Sequence, residues 1–157
     1  MTTFQWLLAL HVTGAFLLLG AVVVLSVLAV LAHIKQRPSE IALFLGLSIA
    51  AVPFLIAGEV LAFVFGLWLV HDRGLSYGTF WISASIVLLV AGGIAGKKGG
   101  DRADRTRELA LELAAKDDAP SPELRARLRD PVTLALSWGA GLAAVVILAF
   151  MIWKPGA

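Results

Sequence analysis

FQWLLALHVTGAFLLLGAVVVLSVLAVLA, residues 4–32, contains no Asp, Glu, Lys or Arg and a single histidine. A run this long and this apolar has no polar face to offer water, so it reads as a membrane span rather than an amphipathic surface helix. Three more apolar blocks follow, at about 41–70, 79–96 and 131–153. Backbone groups in lipid must be satisfied within the segment, so each block is expected to be helical. The fold class is therefore all-α, a four-helix membrane bundle in contact with the lipid bilayer. A span needs roughly 20 residues. The first two blocks are longer, so they are expected to tilt or to project beyond the bilayer.

Composition agrees. Hydrophobic residues make up 59% of the 157 and charged residues 15%, against roughly 45–50% and 25% in soluble domains. The net charge is +2, and the basic residues flank spans, so nucleic-acid binding is not indicated. The chain has no Cys, which removes disulfides, thiolate metal sites and a Cys nucleophile. The first block lacks a basic leader and is too long for a signal-peptide core, so it reads as a retained span.

Charge placement predicts direction. Lys35 and Arg37 lie between spans one and two. Lys97, Lys98, Arg102, Arg105, Arg107, Lys116, Arg125, Arg127 and Arg129 lie between spans three and four, and only Arg73 and Lys154 fall on the other side. Orientation follows Lys and Arg, so loops 33–40 and 97–130 are expected in the cytoplasm, with both termini outside (N-out/C-out). Trp6, Trp68, Tyr77, Trp81 and Trp153 fall at the outer ends of their spans, as an interfacial aromatic belt would.

Local signals set the boundaries. Asp130-Pro131 reads as a cap and first turn for span four, and Ser39 as a cap for span two. Pro53 is expected to kink span two and free the carbonyl of Ile49. Gly99-Gly100 is expected to let the chain turn after span three. A short helix over DRADRTRELALELAAK, with Asp101–Arg105 and Glu112–Lys116 as favourable i,i+4 pairs, and a second one from Ser121-Pro122, with a Glu123–Arg127 pair, then form a helical hairpin across 97–130. Its mixed charges suit a solvated surface, or a docking surface for a partner. Ala91–Gly96 (AGGIAG) carries small residues at helical spacing, a packing signal, and Trp138 with Gly139 and Gly141 reads the same way. Phosphate loops, hydrolase elbows, zincin helices and EF-hands are absent from the sequence.

Two ionisable residues lie inside spans, His11 and Glu59, and such groups raise a functional hypothesis by default. Counting helical rise puts them about 10 Å and about 16 Å below the outer ends of spans one and two. They could meet directly or through one water. Gly14 and Ala15 beside His11, and Ala62 and Gly66 beside Glu59, permit close backbone approach or leave room for a flat ligand. Ser83 and Ser85 could extend a polar cluster. Three readings stand. His11 and Glu59 hold helix register; or His11 is an axial ligand of haem b, with Glu59 and Gly14 helping to form the site; or Glu59 serves a proton relay or small transporter. His33 suits a helix C-terminus, His71 an interfacial anchor or a second haem ligand, and Met151 a weak axial or copper ligand.

LHVTGAFLLLGAVV in span one, FVFGLWLVH at the end of span two, SPELRARLRDP before span four and MIWKPG at the C-terminus resemble the bacterial integral membrane family of unknown function numbered twenty-two sixty-nine. The resemblance covers nearly the whole chain and implies a multi-pass protein of the bacterial plasma membrane, with no activity attached. More remotely, Leu10-His11 followed by Gly14 is similar to copper-resistance protein D domains and HemJ-type protoporphyrinogen oxidases, which implies haem b on His11. The oxidase pattern also uses an intramembrane Lys, and no span here has one. The expectation that results is a non-enzymatic accessory subunit, packing as a homo-oligomer or within a larger membrane complex.

Overall fold

The computed structural model describes residues 2–156 as five helices and, among those residues, no strand. They are α1 (Thr3–Ile34), α2 (Pro38–Asp72), α3 (Phe80–Lys116), α4 (Pro122–Leu128) and α5 (Pro131–Trp153). Four helical stretches are long and apolar enough to cross a membrane, the fourth being α5 with α4 leading into it.

The helices pack as two antiparallel hairpins, α1 with α2 and α3 with α5, joined along the α2–α3 seam. That seam runs the length of α2. Val70 packs on Trp81 and Ile82 at one end, and Ile41, Ala42 and Leu45 on Ala110 at the other. The α3–α5 seam rests on small residues. A Cβ at Gly92 would lie 3.4 Å from Ala143, and one at Gly96 3.8 Å from Ala140. The glycines read from AGGIAG are therefore at a helix interface, as their spacing predicted. Against α1, Gly141 approaches Val22.

Span three differs from its expected bounds. No turn occurs at Gly99-Gly100. Helix α3 continues unbroken to Lys116, so the first arm of the expected hairpin is the extension of a span. The physical reason is at Gly99, which is buried against Leu136 and Ser137 of α5. It serves close packing inside a helix rather than a change of direction. The helix stops at Asp117, and Asp118 follows in the left-handed region at φ 50°.

Helices α1 and α2 are 32 and 35 residues long against 23 for α5. At 1.5 Å per residue, α5 matches a hydrocarbon core of roughly 30 Å and the other two exceed that core by about 20 Å. The excess projects past the start of α5. There it gains a core of its own, Ala32, Ile41, Ala42, Leu45, Ala110, Leu124 and Leu128, with α4 lying across the helix ends. His33 ties α4 down: its Nδ1 is 2.7 Å from the Ala29 carbonyl and its Nε2 2.8 Å from the Leu128 carbonyl. Arg125 Nη1 donates to the His33 carbonyl at 3.0 Å. His33 is therefore a tertiary clamp, a role beyond helix-dipole placement.

Helix ends are capped as physics requires and not always as expected. Asp130 caps α5, accepting from the Thr133 backbone at 2.9 Å and hydroxyl at 2.7 Å. Ser121 Oγ accepts from the Leu124 backbone at 3.4 Å to start α4. At α1, Thr2 and Gln5 form a reciprocal capping box. Ser39 does not cap α2. It lies within the first turn, where its N–H and hydroxyl donate to the Asp118 carboxylate at 2.8 and 2.7 Å. The cap thus comes from across the fold, from a carboxylate placed on the positive end of the α2 dipole.

The aromatic residues at these helix ends differ in exposure. Trp6, Trp68, Tyr77 and Trp153 are exposed, but Trp81 is buried beneath Lys154, whose ammonium stands 5.9 Å from its ring centroid. Trp138, expected as packing, is 52% exposed. Its ring turns outward, while Gly141, one turn on, approaches Val22 of α1.

Hydrogen bonds from Ser39 hold the Asp118 carboxyl below the ordinary range, and those from Thr133 do the same for Asp130. A folded-state pKa below the unfolded one contributes stability that is full above the unfolded value, about 3.9, and is lost as pH falls through the lowered folded value. Thermal melts in detergent should therefore lose stability below about pH 4. Asp118→Ala should lower the melting temperature at neutral pH and flatten that acid limb; an unchanged melt would show that the carboxylate does not cap α2.

Candidate functional site

Helix α1 presents His11, Gly14 and Leu18 to α2, a row set by i, i+3 and i+4 spacing. The His11 Nδ1 lies 2.8 Å from the Ala62 carbonyl oxygen, a contact that forms a hydrogen bond when Nδ1 carries the ring proton. That tautomer leaves the Nε2 lone pair uncommitted. Gly66 makes the bond reachable, since a Cβ there would stand 3.0 Å from His11 Cε1. One turn further in, the backbones meet. A Cβ on Gly14 would lie 2.5 Å from the Ala62 nitrogen, and one on Gly58 would collide with the Leu18 backbone nitrogen. Both glycines are buried. The space expected beside Gly14 for a flat ligand is occupied by α2, so at Gly14 the packing alternative is the one the structure takes.

Glu59 goes elsewhere. Its carboxyl packs on Gly93 of α3, so closely that a Cβ there would overlap Oε1. His11 and Glu59 sit on the same helix pair but face different neighbours. Among the described residues no hydrogen bond joins them, and none is made by the Glu59 carboxyl. Gly93 is next to Gly92, which faces Ala143 and Ala140 near the middle of α5. Glu59 thus stands at mid-height of the shortest span. In a bilayer that is the costliest depth for a charge.

The remaining candidates are accounted for locally. Ser85 Oγ donates to the Trp81 carbonyl at 2.6 Å, and Ser83 Oγ lies 3.2 Å from the Phe80 carbonyl. Both serine hydroxyls turn back onto their own helix and add nothing to a shared polar cluster. His71 is exposed at the end of α2. Met151 fills the Val70, Trp81, Ile82 cluster. As a haem site, His11 offers one ring nitrogen. The two cavities described below are lined by neither His11 nor Glu59.

Three participants were not singled out from the sequence. Gly58 and Gly93 are the contact points of α2 with α1 and α3; in a span already rich in Gly and Ala, nothing marks which glycine faces which helix. Arg107 packs beside Gly46, where a Cβ would stand 3.2 Å from its Nε, and that Nε is buried with no hydrogen-bond partner. An unpaired buried donor costs about 1–3 kcal/mol. Its neighbourhood depends on α3 running past Gly100, which the expected turn ruled out.

The architecture is that of a polytopic membrane protein: long apolar helices, outward-facing aliphatic side chains, and ionisable groups turned inward or to the ends. The chain belongs to the family described as predicted integral membrane protein, DUF2269, which matches residues 5–155. No curated protein and no solved structure matches it.

Gly58→Ala should destabilise the protein by about 1–3 kcal/mol, because α1 and α2 must separate to admit the methyl. Gly100→Ala, at a helical glycine with open space above it, should be stabilising by about 0.5–1 kcal/mol. Equal effects of the two in chemical or thermal unfolding would refute the close crossing.

Proposed function

We propose that this integral membrane protein is a non-enzymatic accessory subunit whose work is to pack. The observation that carries the reading is the contact between His11 Nδ1 and the Ala62 carbonyl. It turns the histidine of span one into a cross-helix tie, the use of polar groups in membranes that needs no ligand. An apolar cavity on the outer face of the α1–α2 hairpin supports it. Phe16 and Phe54 stand 75% and 59% exposed on the outer face of the α1–α2 hairpin. Between them lies an apolar cavity of about 410 Å³ floored by Gly20, Ala21, Ala50 and Ala51. Knobs and hole on one face suit a second copy of the chain, because a two-fold interface pairs a patch with itself. The excess of Lys and Arg in loops 33–40 and 97–130 supports an orientation with both loops cytoplasmic and both termini outside.

A second reading rests on Glu59. A carboxyl at mid-height, packed on Gly93 and without a hydrogen-bond partner among the described residues, is what a proton-relay subunit or small transporter would carry. Haem binding is the third. It draws on the same contact at His11, because a ligating histidine commonly donates the N–H of its other ring nitrogen to a backbone carbonyl, which leaves Nε2 for the metal.

Detergent-purified protein from haem-replete cells, compared with His11→Ala, separates these. The accessory reading expects no visible absorption band in either protein, oxidised or reduced. It also expects a lower melting temperature for His11→Ala and a dimer by light scattering that Gly20→Leu dissociates. A Soret band abolished by His11→Ala in a folded protein would overturn it in favour of haem. A monomeric wild type would remove the self-association.

A further inference from the structure

Where α5 enters the bundle, a shallow cavity of about 400 Å³ opens between it and α3, lined by Lys98, Asp101, Arg102, Arg105, Val132 and Leu136. Lys98, Asp101, Arg102 and Arg105 follow i, i+3, i+4 and i+7 spacing, so the α3 side is one helix face about 10 Å long. Val132 and Leu136 are one turn apart on α5 and lead from the entry point down into the span. Three cations against one carboxylate line a pocket whose other wall is apolar.

The charges are not equally committed. Arg102 Nη1 is tied to Asp130 Oδ2 at 3.0 Å, and Asp130 is already the α5 cap. Arg102 is thereby held in place and largely neutralised. Lys98 and Arg105 make no ion pair among the described residues, the expected Asp101–Arg105 pair included, and both are exposed. Two free cations therefore flank a fixed one, at the level where the apolar length of α5 begins.

We propose that this cavity is a binding site for one anionic phospholipid, with the headgroup phosphate between Lys98 and Arg105 and an acyl chain along Val132 and Leu136. The pairing of charge with an apolar wall selects a lipid over a free anion. Inorganic phosphate would use the cations and leave the wall in contact with nothing. A zwitterionic lipid could use the wall but would set its own cation against Lys98 and Arg105. The site needs no particular orientation in the membrane, and it stands apart from His11, Glu59 and the α1–α2 groove.

Native mass spectrometry of the intact chain, from micelles holding equal amounts of phosphatidylglycerol and phosphatidylcholine, tests this. One phosphatidylglycerol per chain should be retained in preference to phosphatidylcholine. Lys98→Gln with Arg105→Gln should cut that retention at least about tenfold, as expected for losing a charge-assisted contact. Arg127→Gln with Arg129→Gln removes the same charge from the same end of the protein outside the cavity and should leave retention unchanged. Inorganic phosphate at matched concentration should not displace the lipid. Equal retention of the two lipids, equal losses from both double variants, or displacement by phosphate would each overturn the proposal. Melting temperature and helicity of the variants confirm that the fold is intact.

Discussion

The approach of α1 to α2 at Gly14 and Gly58 is the constraint on which the rest of the bundle depends. Between membrane helices the hydrophobic effect supplies no net attraction, because lipid tails are as apolar as leucine. Association rests on close packing and hydrogen bonds instead. Two buried glycines bring the backbones within reach of each other, and that proximity is what lets a short imidazole on one helix find a carbonyl on the other. Fixing α1 on this face of α2 leaves Glu59 pointing at α3, where Gly93 makes room for it. The order of helices around the bundle follows from those three glycines.

Past the start of α5 the same helices obey ordinary soluble-protein rules. Their overhanging ends bury a small apolar core under α4. The polar groups there are satisfied by caps and tertiary bonds: Asp118 on Ser39, His33 on the Ala29 and Leu128 carbonyls, and Arg125 on the His33 carbonyl. The protein is thus built in two regimes, glycine contacts in the spans and a capped helical layer beyond them. Arg107 stands where the regimes meet, and its unpaired Nε is the one buried side-chain donor without a partner among the described residues.

Much of this was legible in the sequence because it depends on local composition. Block length fixed four spans and their helical state, Asp130-Pro131 fixed the start of α5, and the AGGIAG spacing fixed a packed face of α3. What was not legible depends on which residue meets which across the fold. Gly99-Gly100 has the composition of a turn, yet α5 packs on Gly99 and the helix runs through. Ser39 has the chemistry of a cap, yet Asp118, distant in sequence, supplies the anion. His11 and Glu59 fall at compatible depths, but depth is one coordinate and helix azimuth is another. A span of nearly uniform hydrophobicity carries almost no signal for azimuth, because every face is apolar.

His11 ties α1 to α2 through its Nδ1, and that atom is where the tie can be measured. In protein labelled with nitrogen-15 at histidine and carbon-13 at the alanine carbonyls, NMR should find His11 Nδ1 bearing the proton and show a coupling across the hydrogen bond to the Ala62 carbonyl. A His11 ring protonated only at Nε2, with no coupling from Nδ1 to Ala62, would contradict the account.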